Sequence, residues 1–176
     1  MNHLLAALVF LVMPAAALAQ SPTEFEDWNR YAVGTSATLE MVSEAQGRNV
    51  STIDVLTLKK KETDKITLSS EAVTEGTDKE SSERIVRRET KRGECKSCKK
   101  VHKEPTTKDK GKEKLKVGSK EFEATILDIT TYVCDEKESM TYRTWLSKEV
   151  PGGLLKMEAT SEGVKVTVTL KSFELK

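Results

Sequence analysis

A mainly β fold, built as a strongly curved antiparallel sheet or half-barrel with a short N-terminal helix, is predicted by three features of this sequence. Apolar residues recur at every second position in short runs from Thr35 onward, the mark of strands with one dry face. Clusters of Gly, Asn and Asp separate those runs at hairpin spacing. Nothing from Thr35 to Lys176 keeps a 3.6-residue apolar period over a helical length, which disfavours βαβ folds and helix bundles. About eight or nine strands in one open sheet tend to curl or split, so a β-sandwich is the alternative architecture.

Met1 to Ala19 reads as a secretory signal peptide. Leu4 to Met13 is apolar, Pro14 ends the run, and Ala17-Leu18-Ala19 gives the small-x-small cleavage pattern before Gln20. A membrane anchor needs roughly 18 consecutive apolar residues, and this run is shorter. Residue 20 is Gln rather than Cys, so lipid modification there is not indicated. The expected product is periplasmic or secreted: one domain over residues 20–176 with no membrane span. After Ser21-Pro22, Phe25, Trp28 and Tyr31 recur at spacing three, which predicts a short helix whose aromatics cover one end of the core.

The strands follow in order. Thr38 to Ala45 puts Leu39, Met41 and Ala45 on one face, Val50 to Lys60 is rich in Val, Ile, Thr and Leu, and Lys65 to Val73 alternates as Ile66, Leu68 and Ser70. Ser82 to Arg92 contains Ile85 and Val86. Turns between these runs are expected at Gln46-Gly47-Arg48-Asn49, Thr63-Asp64 and Glu75-Gly76-Thr77-Asp78. Further on, Gly118-Ser119 is a two-residue hairpin loop between Leu115-Lys116-Val117 and Lys120-Glu121-Phe122. Phe122 to Val133 is one long strand whose apolar set changes face between Ile126 and Leu127, predicting a bulge or bend. Met140, Tyr142, Thr144 and Leu146 alternate with Arg143 and Trp145, and Val150-Pro151-Gly152-Gly153 predicts a type II turn. Leu154 to Thr160 and Val164 to Leu175 complete the set, the latter with the cleanest period-2 stripe, Val164, Val166, Val168 and Leu170.

Composition bounds the function. Of 176 residues 37% are apolar and 5% aromatic, so the core is thin. The whole chain is +1, yet Arg84 to Lys116 holds 14 Lys and Arg against 5 Asp and Glu. Its stretch from about residue 96 to 116 has few apolar side chains, which predicts a mobile basic loop. Such a loop either attracts an anionic surface or serves only as solvated chain. Without interleaved aromatics it does not suggest nucleic acid.

Cys95, Cys98, His102 and Cys134 are the disulfide or metal candidates. Export favours a disulfide, and a Cys3His zinc set is the alternative cofactor reading because its spacings suit one tetrahedral ion. Thioredoxin-like exchange lacks its strand-to-helix setting, and incidental thiols remain open. No G-x-S-x-G, phosphate-loop or H-E-x-x-H motif is present. Asp135 and Glu136, and Glu24, Glu26 and Asp27, are read as solvated or capping carboxylates. An enzyme is not indicated, and no cofactor is expected beyond the zinc alternative.

The string Thr141-Tyr142-Arg143-Thr144-Trp145-Leu146-Ser147, followed by Glu149 to Glu158, resembles the Trp strand, Pro-containing turn and next strand of exported bacterial half-barrel proteins. More remotely it is similar to the lipoprotein-carrier and lipoprotein-sorting superfamily. That resemblance implies a concave face taking a lipid-like ligand or a hydrophobic protein segment, with Tyr142, Trp145, Leu154 and Met157 near that face or in the core. The expected function is an exported, non-catalytic binding or structural module; the alternative is a cysteine-centred zinc or thiol-redox protein on the same scaffold.

Overall fold

A computed structural model describes residues 23–88, 105–132, 139–161 and 163–176. Helix α1 is Glu24–Asn29, and nine strands follow: β1 Ser36–Ala45, β2 Arg48–Lys61, β3 Lys65–Thr74, β4 Glu80–Arg87, β5 Thr106–Val117, β6 Lys120–Tyr132, β7 Ser139–Leu146, β8 Leu154–Ser161 and β9 Val164–Glu174. They form one antiparallel sheet in the order β4-β3-β2-β1-β9-β8-β7-β6-β5. It is a half-barrel-like curved sheet, so the two-sheet alternative is not adopted. The signal peptide reading, Cys95, Cys98, His102 and Cys134 lie outside the described residues.

The sheet consists of two meanders, β1 to β4 and β5 to β9, joined where β1 pairs with β9 from Ser36↔Glu174 to Ala45↔Val164. Burial alternates along the strands as the period-2 pattern requires. Ala37, Leu39, Met41 and Ser43 are buried on β1, Thr52, Asp54, Leu56 and Leu58 on β2, and Ile66, Leu68 and Ser70 on β3. Val168 and Leu170 extend that inward face onto β9, and Met157 and Ala159 onto β8. At roughly 25 cal/mol per Å² of apolar surface buried, this single face supplies most of the hydrophobic stabilisation.

The basic loop expected at 96–116 is corrected over its second part, where residues 106–116 belong to edge strand β5. β5 pairs with β6 from Thr106↔Thr130 to Val117↔Lys120. Apolar burial is not what orders this segment. This strand is held instead by its backbone ladder and by ion pairs from Lys112 to Glu123 at 2.7 Å and from Lys114 to Glu121 at 2.9 Å. Charged lysines along an edge also discourage pairing with other chains.

The bulge or bend predicted between Ile126 and Leu127 does not lie in β6 itself; the irregularity at that level is in its partner strand β5. β6 runs against β7 in unbroken register, whereas β5 shifts between Asp109 and Gly111, directly across from Leu127 and Ile126. Gly111 has φ 99, and its N–H donates to Asp109 Oδ1 at 2.7 Å. An extra residue in one strand re-aims the side chains beyond it. At the same level the buried set of β6 passes from Phe122 and Ala124 to Ile129.

Candidate functional site

The candidate site is the concave face of the sheet. Its middle is apolar, with Leu39 and Met41 of β1 in register with Leu170 and Val168 of β9, and Val168 in register with Met157 of β8. One end is closed by α1. Phe25 and Trp28 are 4% and 1% exposed, as expected for aromatics covering one end of a core, while Tyr31 is half-buried.

α1 is fixed to both meanders. On one side Arg84 of β4 donates two hydrogen bonds to Glu24, and Arg88 pairs with Glu26 at 3.3 Å while its guanidinium lies 4.9 Å from the centre of the Phe25 ring. Lys61 donates to the carbonyls of Asn29 and Tyr31. On the other side Arg30 donates to the Lys148 carbonyl at 2.7 Å, and the turn at residues 150–153 packs under the helix. Gly153 N–H donates to Val150 O at 3.1 Å, and Gly152 has φ 73, the positive value the second central position of a type II turn needs. A Cβ on Gly152 would stand 2.6 Å from Trp28 Nε1, and one on Gly153 would stand 2.6 Å from Asp27 Oδ2. Glycine is therefore required there by close approach as well as by backbone conformation.

The three α1 carboxylates expected to be solvated or capping all lie in its first turn, and Glu26 is exposed, but Glu24 and Asp27 are buried. Glu24 and Asp27 are each 5% exposed, and Asp27 accepts from Thr23 Oγ1 and from Arg30, both at 2.6 Å. Burial of a charge is tolerated when it is paired and hydrogen-bonded, and Arg84, 60 residues away in sequence, could not be assigned to Glu24 from a pattern. Asp135 and Glu136 lie outside the described residues.

The concave face also carries Asp54, a residue the sequence did not single out. It is 1% exposed and lies between Leu39 of β1 and Ala72 of β3. Its Oδ1 accepts from Ser70 Oγ at 2.7 Å. Its Oδ2 has no hydrogen-bond partner among the described residues, and neither has Arg84 Nε. Burial pushes the Asp54 pKa up, against the opposing pull of the Ser70 hydrogen bond and the Arg84 charge. The available signal was register, since Asp54 keeps step with Thr52, Leu56 and Leu58 on the inward side of β2.

The sequence-derived face residues are all buried, but they do not share one face. Tyr142 pairs with Ala159, and Thr144 pairs with Met157, so Tyr142 and Met157 line the same side. Burial raises the Tyr142 pKa. Trp145 pairs with Ile126 and Lys156 and leaves β7 on the opposite side from Tyr142. Its Nε1–H donates to Glu113 Oε2 at 3.0 Å, and the Lys156 ammonium lies 4.7 Å from its ring centre, an arrangement attractive to a π face. Leu154 pairs with Leu146 beyond a register shift that follows Trp145. Among the described residues no group of three or more His, Cys, Asp or Glu is placed to hold a metal ion.

No protein-family profile matches the chain, and no curated protein matches it in sequence. Solved structures do share its fold. A Parabacteroides distasonis protein described as a lipoprotein superposes with a TM-score of 0.51 at 10% identity, over 82% of this chain and 96% of that one. An exported protein with a YmcC-like fold from Bacteroides fragilis gives a TM-score of 0.51 at 7% identity, over 82% and 97% of the two chains. MucB gives 0.50 at 11% identity over 92% of this chain and 60% of its own. The chain thus has the curved-sheet fold found in exported bacterial proteins, at identities that establish architecture alone.

Proposed function

We propose that this chain is an exported, non-catalytic binding module, periplasmic or secreted, that holds a hydrophobic ligand against the concave face of its sheet. The observation that carries this reading is the apolar wall running across β1, β9 and β8 through Leu39, Met41, Leu170, Val168 and Met157. These side chains are already 0–7% exposed without a guest, so a ligand reaches them by displacing packing within the curved sheet rather than by entering an open groove. The shared fold with proteins described as exported or as lipoproteins supports the compartment and agrees with the predicted leader. No helix among the described residues is long and apolar enough to cross a membrane.

A lipid-like molecule is the favoured occupant, and a hydrophobic segment of another protein is the alternative. Attraction of β5 to an anionic surface is weakened because Lys110, Lys112 and Lys114 already pair with Asp128, Glu123 and Glu121. The test is purification of the full chain from cells without detergent, followed by solvent extraction and mass spectrometry. A stoichiometric lipid released from the protein is the expected result. Protein that carries no lipid and binds no long-chain probe in a fluorescence titration would overturn it.

A further inference from the structure

The sheet ends in two edge strands, β4 and β5, and they are unlike. β5 is guarded against pairing by its lysines and by the register shift between Asp109 and Gly111. β4 has neither device. Its sequence Glu80-Ser81-Ser82-Glu83-Arg84-Ile85-Val86-Arg87 contains no Pro, Gly or Lys, and it pairs with β3 in unbroken register from Ala72↔Glu80 to Lys65↔Arg87. Its inward charge, Arg84, is held by Glu24 and so does not repel an incoming strand. The other side of such a regular strand carries backbone N–H and C=O groups in position to continue the ladder.

The outward side chains of β4 indicate what fits against it. Ile85 is 55% exposed, and two positions away on either side stand Glu83 and Arg87, both exposed. Neither Glu83 nor Arg87 makes an ion pair among the described residues. Arg87 instead stands opposite Lys65 of β3, whose own carboxylate partner is Glu62 at 3.1 Å. Antiparallel pairing of β4 with another β4 about a two-fold axis through Ile85 supplies both missing partners. Glu83 then lies opposite the partner's Arg87, Arg87 opposite the partner's Glu83, and the two Ile85 side chains cover each other on the axis. With the axis perpendicular to the sheet, outward residues meet outward residues and both concave faces stay on one side. Centring the axis on Glu83 or Arg84 would oppose two like charges, and centring it on Val86 would oppose Arg84 with the partner's Arg88.

We propose that β4 is a self-association edge, to which a second copy of this chain adds its own β4 in the antiparallel register centred on Ile85. The interface is isologous and closed, so association stops at a dimer. One strand against one strand buries little area, so the dimer is reversible. The proposal is independent of the hydrophobic-ligand reading.

Sedimentation velocity of the full chain over a wide concentration series tests it, and a reversible monomer–dimer equilibrium is expected. Glu83→Arg turns two opposite-charge pairs into two like-charge pairs and is expected to weaken the dimer at least about ten-fold; Arg87→Glu is expected to do the same. The double variant restores both pairs in swapped order and is expected to return the dimer to within about three-fold of the parent. Ile85→Lys sets two ammonium groups together on the axis and is expected to leave only monomer. All three side chains are exposed, so the variants keep the monomer fold, which circular dichroism checks. A parent chain that stays monomeric at every concentration overturns the proposal, as does a dimer that survives Glu83→Arg and Ile85→Lys. Single variants whose loss the double variant does not restore overturn it too. So does a mass that keeps growing with concentration, the sign of β4 pairing head-to-tail with β5 of the next copy.

Discussion

The two meanders that meet at the β1 and β9 pairing bury very different inward faces. From β7 to β9 the face is almost wholly apolar, with Tyr142, Met157, Ala159, Val168 and Leu170. From β2 to β4 it mixes Leu56, Leu58, Ile66 and Leu68 with buried Thr52, Asp54 and Ser70 and with Arg84. Most polar atoms of the mixed side are answered locally, Asp54 Oδ2 and Arg84 Nε excepted: Thr52 and Thr74 hydroxyls lie 2.8 Å apart, Ser70 holds Asp54, and Glu24 holds Arg84. One meander is held by area, the other by area plus geometry. A polar residue in an inward register is thus a strand residue with a partner elsewhere, and finding that partner requires the fold.

Substitutions at contacts on each side test this contrast, and the largest expected effect is where α1 touches both. Trp28→Ala removes a side chain that is 1% exposed, and chemical denaturation is expected to show a loss of about 3–5 kcal/mol. Gly152→Ala on the apolar side combines a positive φ with contact against Trp28, and about 2–4 kcal/mol of destabilisation is expected. Gly163→Ala has φ +80 with no atom within 4 Å of the added Cβ, so it isolates the backbone cost of about 1–2 kcal/mol. Similar losses at the two glycines would refute the close-packing account of the turn.

On the mixed side the sign reverses. The Asp54 pKa is raised in the folded protein, so burial favours its protonated form. That contribution to stability is present below the unfolded-state pKa and is lost as pH rises through the folded value. Asp54→Asn is therefore expected to raise the thermal midpoint at pH 8 by a few degrees, corresponding to roughly 1 kcal/mol, and to gain little at pH 4. A variant less stable than the parent at pH 8 would show that the Arg84 charge outweighs burial. The smallest effect belongs to the sheet edge. Lys112→Ala with Lys114→Ala removes two exposed ion pairs and is expected to change stability by less than about 1 kcal/mol, while light scattering shows more association because the edge has lost its charged guard.

Legibility from sequence follows the same division. Where a strand is apolar on one side only, as in Val164, Val166, Val168 and Leu170, alternation sufficed to place it and its inward face. The hairpin at Gly118-Ser119 and the turn at residues 150–153 were equally readable, because their backbone conformations leave few residue choices. Strand β5 reads as a loop because its sequence gives almost nothing to bury, and ladder bonds and cross-strand charge carry no apolar signature. The resemblance implies Trp145 near the concave face or in the core, and alternation with Tyr142 already sets it on the other side of β7, where it is buried. Asp54 is not singled out by the sequence, and Glu24 reads there as a solvated or capping carboxylate, because charge is equated with exposure. Their partners Ser70 and Arg84 lie 16 and 60 residues away, where no local pattern reaches.

The strand order has a kinetic consequence. Apart from β1 with β9, every pairing in the sheet joins neighbours in chain order, so each meander can zip up hairpin by hairpin from nearby contacts. The junction between them joins segments more than 100 residues apart, as the bond from Lys171 to Glu40 across 131 positions illustrates. Contacts of such long range are the slow part of folding. A chain delivered from its N-terminus holds two half-sheets with bare inner edges until β9 arrives, and that interval is when it is most exposed to wrong pairing with its neighbours.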